Sequence, residues 1–397
     1  MILHLTCSIT TITYKLWTVL LLFIVGALIV TRVYSQNLTT KSGTVSFELK
    51  GHTSFVVTAR WSPDGSKIAT ASSDSTAIIW SATNGKKIFT LKGHKDEVND
   101  VQWSPDGLKV VTASDDSTAI IWSALKGKKI FTLKGHGTWV RDVQWNSDGS
   151  KIATASSDET AIIWAAGNGE KLLTLKGHNS WVRAVQWCPD GTKVATASGD
   201  STTKTWFITN PTSAFSQSIP RVPGTMQFDL KGHNRFVTAV QWSPDGSKIA
   251  TASGDSLAIV WSATTGKMIF TLKGHKDKVD EVQWSPDGTK IATASDDKAT
   301  MIWSAINGDN LLLLNGHTHY VTDVQWSPDG SKIATASADG TVIIWSSSSG
   351  TKLFTLKGHT SWVNVAQWSP DGSKIVTASG DSTAKIWFIT KPKSTKR

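Results

Sequence analysis

Cysteine is almost missing from this chain. Two occur in 397 residues, too few for a disulfide scaffold or a cysteine-rich zinc site. Tyrosine is nearly as scarce, three residues against 20 tryptophans. Charged residues make up only 18% and apolar residues 39%, the composition of neither a disordered nor a wholly membrane-embedded chain. No glycine-rich loop leads into Lys-Ser or Lys-Thr, so a phosphate cradle is not expected. Of ten histidines, eight recur in one dipeptide and His4 lies near the start, which leaves His319. One such histidine and one cysteine beyond the N-terminal segment make neither a histidine-rich metal site nor a Cys–His dyad. No enzyme, metal or cofactor is expected from this inventory.

Long hydrophobic runs are also lacking, with one exception. Residues 16–30 carry no charge, Lys15 precedes them and Arg32 follows. Fifteen residues as a helix span about 22 Å, short of the ~30 Å hydrocarbon core. Val33-Tyr34-Ser35 before Gln36 supplies the small or β-branched residues that cleavage after Ser35 requires. Residues 1–35 therefore read as an N-terminal apolar targeting helix: a signal peptide or, if uncleaved, a membrane anchor. Either places the chain in the secretory pathway, secreted or single-pass anchored. Lys15 and Arg32 balance, so flanking charge does not orient an anchor. Asn37-Leu38-Thr39 is an N-glycosylation acceptor at Asn37. Residues 36–43 read as a short linker and 391–397 as a basic tail. The excess of 41 Lys and Arg over 31 Asp and Glu is diffuse, with a lysine ahead of every second strand of the repeat described next. No basic motif interleaved with aromatics occurs, so no nucleic-acid partner is expected.

The rest of the chain repeats itself. Gly-His begins at 51, 93, 135, 177, 232, 274, 316 and 358, a step of 42 broken once by a step of 55. Each unit reads as four short strands separated by turn signals. In the second unit these are strand a, Val98 to Trp103; strand b, Lys109 to Ser114; strand c, Thr118 to Trp122; and strand d, Lys129 to Leu133. Ser104-Pro105-Asp106-Gly107 turns a into b, and Asp115-Asp116-Ser117 turns b into c. One such meander buries too little to stand alone, whereas stacked copies bury their faces on one another. Residues 43–52 match 224–233, and Trp206-Phe207-Ile208-Thr209 matches Trp387-Phe388-Ile389-Thr390. Two four-unit halves are therefore duplicated, joined by a seam at 210–223. It reads as a loop between strands c and d of the fourth unit; two separate four-unit bodies are the alternative.

Across residues 44–390 this pattern resembles the WD40-repeat β-propeller family. The resemblance rests on the Gly-His near each unit start, the strand-c tryptophan and the aspartate six residues before it. The Asp that usually follows that tryptophan is absent from all eight units, where Ser, Ala or Phe stands instead. The resemblance implies an all-β, eight-bladed propeller. It also implies a buried structural His–Ser–Asp–Trp tetrad in each blade: His52, Ser72, Asp74, Trp80; His94, Ser114, Asp116, Trp122; His136, Ser156, Asp158, Trp164; His178, Ser198, Asp200, Trp206; His233, Ser253, Asp255, Trp261; His275, Ser295, Asp297, Trp303; His317, Ser337, Asp339, Trp345; His359, Ser379, Asp381, Trp387. Eight repeated sets read as architecture rather than as one nucleophile with a tuned base. Residues 44–49 look like a strand d without a, b or c, and the last unit ends near Thr390 without its d. Pairing these ends would close the ring and remove its exposed edges.

The units differ most just after Gly-His. The third residue after His is Phe55, Glu97, Trp139, Trp181, Phe236, Lys278, Tyr320 and Trp362, and two positions further lie Arg141 and Arg183. Aromatics and arginine are enriched at binding hot spots. In the family, the face carrying these d–a loops is the usual docking surface. The expectation is a monomeric, non-enzymatic scaffold that binds a protein or peptide through this collar. A propeller that binds glycans or small ligands at the collar or channel is the alternative.

Overall fold

The computed structural model describes residues 43–209 and 222–389. The targeting segment, Asn37, nearly all of the linker, most of the seam and the tail lie outside the described residues.

Strands form where alternating β-branched residues are bounded by turns. In the second unit they run Val98–Trp103, Lys109–Ser114, Thr118–Ser123 and Lys129–Lys134. The first two have the bounds expected from the sequence, and each of the others is one residue longer. Ser104 Oγ donates to Asp106 Oδ1 at 2.5 Å and accepts the Lys109 N–H at 2.9 Å, which fastens the turn between strands a and b. The same arrangement recurs through the molecule as eight antiparallel four-stranded sheets.

Burial is greatest in strand b and least in the outer strand d. Strand b of the second unit, Lys109–Ser114, is buried at every position after its first, because both faces lie against neighbouring sheets. Strand d, Lys129–Lys134, keeps its first two residues and its last exposed. A sheet packed on both faces needs apolar residues on both, hence the runs of Ile, Val and Ala rather than strict alternation.

Strand a carries a second tryptophan, and it ties each blade to the one before. The Trp103 indole N–H donates to the Arg60 carbonyl, and the Trp145 indole to the Gln102 carbonyl, at 3.1 and 3.3 Å. Trp187, Trp242, Trp284, Trp326 and Trp368 repeat the bond. Trp61 donates to the Gln367 carbonyl at 3.1 Å and so joins the first blade to the last. The bonds run right round the ring, and Trp242 to Gln186 crosses between the halves. The two four-unit halves therefore build one wheel, not two bodies.

Closure uses both ends of the described chain. Val45–Lys50 pairs antiparallel with Thr383–Phe388 and supplies the fourth strand of the last blade. The Gly43 N–H donates to the Phe388 carbonyl at 2.7 Å. Within the fourth blade, Thr202–Phe207 pairs with Met226–Lys231 across the seam.

Candidate functional site

Each d–a loop is anchored from below by a buried polar cluster. In the second blade, His94 Nδ1 lies 2.9 Å from Asp116 Oδ2 and Nε2 lies 2.7 Å from Thr112 Oγ1. The Trp122 indole N–H donates to the same Thr112 oxygen at 2.9 Å. A carboxylate can only accept, so the bonding places a proton on His94 Nδ1. The Thr112 hydroxyl accepts from tryptophan and bridges it to His94 Nε2.

The hydroxyl that bridges His to Trp is therefore threonine, not the serine expected from the sequence. Thr70, Thr112, Thr154, Thr196, Thr251, Thr293, Thr335 and Thr377 accept the indole N–H in their blades. The expected serines, Ser72, Ser114, Ser156, Ser198, Ser253, Ser295, Ser337 and Ser379, do a different job. Each accepts the backbone N–H of its own aspartate, at 3.0–3.2 Å. Ser114 also donates to the Asp96 carbonyl in the d–a loop at 3.1 Å. Threonine lies closer along strand b to the indole, whereas the serine sits at the mouth of the b–c turn.

The aspartates are held ionised. Burial pushes Asp116 upward, but hydrogen bonds from His94, Thr118 and the Lys95 N–H outweigh it, and its pKa falls well below the usual carboxylate range. The other seven are lowered in the same sense. Burial lowers His52 and His359, against the pull of their aspartates. The eight sets lie in separate blades and position the loops above them.

At those loops the collar residues divide into two groups. Phe55, Trp139, Tyr320 and Trp362 are 46%, 45%, 45% and 40% exposed. Trp181 and Phe236 are half-buried and lie 5.9 Å apart, centroid to centroid, across the junction of the halves. Trp181, Phe236 and Trp362 each lie over a glycine of the b–c turn, respectively Gly199, Gly254 and Gly380. A Cβ at Gly199 would stand 2.5 Å from the Trp181 ring, and one at Gly380 2.4 Å from the Trp362 ring. Trp139 has Ser157 at that turn position and Tyr320 has Ala338. Lys278 instead meets an acid there, 3.1 Å from Asp296 and 2.9 Å from Asp280. Glu97 is half-buried.

A β-bulge in every blade sets the next layer. The a–b register slips between Val98 and Asp100, and at the equivalent point elsewhere, which leaves residue 99 and its counterparts unpaired and re-aimed. Asn99 Nδ2 donates to the Val140 carbonyl of the next blade, and Thr238, Thr322 and Asn364 make the same tie. The arginines at this position remain at the surface layer. Arg141 lies 4.6 Å over the Trp139 ring and donates from Nε to Ser157 Oγ at 2.9 Å. Arg183 is exposed on the adjacent blade.

Below the bulge the side chains line a central channel, and Phe55, Glu97, Arg141, Arg183 and Trp362 of the collar border the same cavity of about 700 Å³. Its walls carry Asp100, Asp142, Glu281 and Asp323, which the sequence reading did not single out, together with Arg60. Burial pushes all four carboxyls up against the pull of Arg60, and Glu281, with Asp323 also opposing it, reaches about 8. The signal was present in the sequence. The residue six after each Gly-His histidine is acidic in four units and neutral in the rest.

Comparison with known proteins agrees with this geometry. A model of the WD domain, G-beta repeat, matches residues 43–81, 85–123, 127–165, 169–206, 224–262, 266–304, 308–346 and 350–387. Among solved structures, the chain is similar to the crystal structure of the computationally designed Ika8 protein, with 25% identity and a TM-score of 0.74 over 86% of this chain and 98% of that one. The matched segments cover most of the chain, each spanning strand d of one blade and strands a to c of the next, so the protein belongs to the WD40-repeat family, whose propellers generally serve as protein-interaction scaffolds.

Proposed function

We propose that the chain is a monomeric interaction scaffold and that the collar is the surface on which a protein or peptide partner docks. One observation carries this reading. Large aromatics stand 40–46% exposed on one face of a ring whose tetrads and interblade bonds fix the loops beneath them. Rigid aromatics beside arginine bind with little loss of side-chain freedom. Export or anchoring through residues 1–35 would deliver this surface beyond the cytoplasm, and a purified chain starting at Gln36 would mark cleavage.

The test uses residues that are exposed and have no glycine beneath them. Trp139→Ala with Tyr320→Ala should lower partner capture, in a cross-linked pull-down from the natural source, by about tenfold or more. The thermal midpoint should stay within about 2 °C of wild type. Unchanged capture by a folded double variant would remove the collar from the proposal. Aromatic faces also stack on sugar rings, so a glycan array with the same pair of proteins separates the protein-binding reading from the glycan one.

A further inference from the structure

Four carboxyls line the channel in two pairs. Asp100 and Asp142 lie on blades 2 and 3, Glu281 and Asp323 on blades 6 and 7. The internal duplication superposes Glu281 on Asp100 and Asp323 on Asp142, so in an eight-bladed ring the pairs stand across the channel from each other. Arg60 stands where the other seven blades have glutamine, and its guanidinium lies 3.9 Å from Asp100. Glu281 and Asp323 have no cation this close among the ion pairs of the described residues. A second feature of the same channel points to a missing ligand. Thr58 is at the equivalent channel position of blade 1, is only 4% exposed, and its Oγ1 has no hydrogen-bond partner. Buried polar atoms are normally satisfied.

The donor set favours an organic cation over a metal ion. Among the described residues no three His, Cys, Asp or Glu are gathered to hold a metal. An ammonium or guanidinium group can donate to several separated acceptors at once. The cavity is continuous from Phe55 and Trp362 at the collar to Glu281 and Asp323. The four carboxyls outnumber Arg60 on the channel wall, so once ionised they draw a basic group in. We propose that the channel receives one protonated basic side chain, lysine or arginine, of the partner docked on the collar. This rests on the collar reading and adds the chemistry of the residue that fixes the partner's register.

Binding should depend on pH. Burial raises the pKa of all four channel acids, to about 7 at Asp100 and about 8 at Glu281, and a cation favours their ionised form, so binding should release protons and tighten as pH rises. The charged groups facing the site are Arg60 and the four channel acids, with Arg141, Arg183, Glu97 and Asp280 at the mouth. Lys278 pairs with Asp280, so Arg141 and Arg183 against Glu97 leave the mouth with a net positive charge that an entering cation must pass.

Isothermal titration of the full chain with capped Gly-Lys-Gly and Gly-Arg-Gly tripeptides tests this, with the norleucine tripeptide and spermidine as further probes. At least one basic tripeptide should bind, with the norleucine peptide at least about tenfold weaker. Affinity should rise about tenfold between about pH 6 and about pH 8, with proton release. Glu281→Gln should weaken binding about tenfold, and Asp323→Asn provides a second variant should the first fail to fold. Equal binding of the norleucine peptide, or no loss in a folded acid variant, overturns the proposal. So does binding of spermidine when neither tripeptide binds, because the site would then serve a free amine. The collar variant separates the two readings. If Trp139→Ala with Tyr320→Ala abolishes capture while Glu281→Gln changes neither capture nor tripeptide affinity, the collar stands and the channel inference falls. If the collar variant keeps capture, the collar reading falls and the tripeptide titration decides the channel alone.

Discussion

At the scale of single residues, two hydroxyls of strand b share the work that the sequence reading gave to one. Thr112 and Ser114 are two apart, so they point to the same face, and both types recur in all eight units. Periodicity cannot tell which one reaches the histidine. Geometry does: Thr112 Oγ1 joins His94 to Trp122, and Ser114 Oγ holds the Asp116 N–H. The two substitutions should therefore differ in cost. Thr112→Val keeps the shape but leaves an imidazole nitrogen and an indole N–H buried without partners, at roughly 1–3 kcal/mol each. Thr112→Ser restores the hydroxyl and should recover most of that loss. Ser114→Ala removes two ties, to the Asp116 N–H and the Asp96 carbonyl, but those groups belong to residues that are not buried, so it should cost only about 1–2 kcal/mol. Urea midpoints of the three variants check the order. An equal loss for Thr112→Val and Ser114→Ala would contradict the assignment of the bridge to threonine.

At the scale of strands and turns, much was legible and one feature was not. The strand bounds followed from turn chemistry, because Ser-Pro-Asp-Gly and its variants fix where strands a and b end. The bulge in strand a carries no such mark. Val98-Asn99-Asp100 alternates no differently from an unbulged strand, yet the extra residue aims position 99 at the next blade and position 100 into the channel. Hence Asp100, Asp142, Glu281 and Asp323 could not be assigned to a common wall from the sequence, although they recur at one place in the repeat. The turn above has a legible counterpart. Glycine precedes the b–c aspartate in three blades, and in those blades the collar residue is Trp181, Phe236 or Trp362. The aromatic thus fills space that a side chain occupies elsewhere. Trp181→Ala should empty that space and cost about 2–4 kcal/mol, whereas Trp139→Ala, 45% exposed, should cost less than about 1 kcal/mol. Thermal melts of the two single variants, side by side, decide whether the collar is one surface or two kinds of residue sharing a position.

At the scale of the whole wheel, the question is how a chain of near-identical strands finds the right partner for its first one. Two blades take their fourth strand from a segment not directly continuous with the third, and both carry the same substitution. Where strand c of the other blades presents Ile78, Ile120, Ile162, Ile259, Met301 or Ile343, these two present Lys204 and Lys385. Opposite them, in register, stand Asp229 and Glu48. Lys204 Nζ lies 2.6 Å from Asp229 Oδ1, and Lys385 pairs with Glu48. Both lysines are 5% exposed, so an incoming strand lacking the acid would leave a buried ammonium uncompensated. Hydrogen bonds from Lys385 and Lys50 hold Glu48 below the usual carboxylate range, so this carboxylate stays ionised at neutral pH. Such a pair selects a partner more than it adds stability. Glu48→Thr alone, placing there the residue that most other blades carry, should therefore destabilise the ring by about 3–5 kcal/mol and open the last blade. Adding Lys385→Ile rebuilds the apolar pairing of the other blades and should return stability to wild type or above. It should also slow closure or admit mispaired rings, because nothing then distinguishes the first strand from the others. Denaturation midpoints measure the first effect, and refolding yield with size-exclusion profiles the second. A double variant that refolds as fast and as uniformly as wild type would show that strand order, not charge, directs the closing of the wheel.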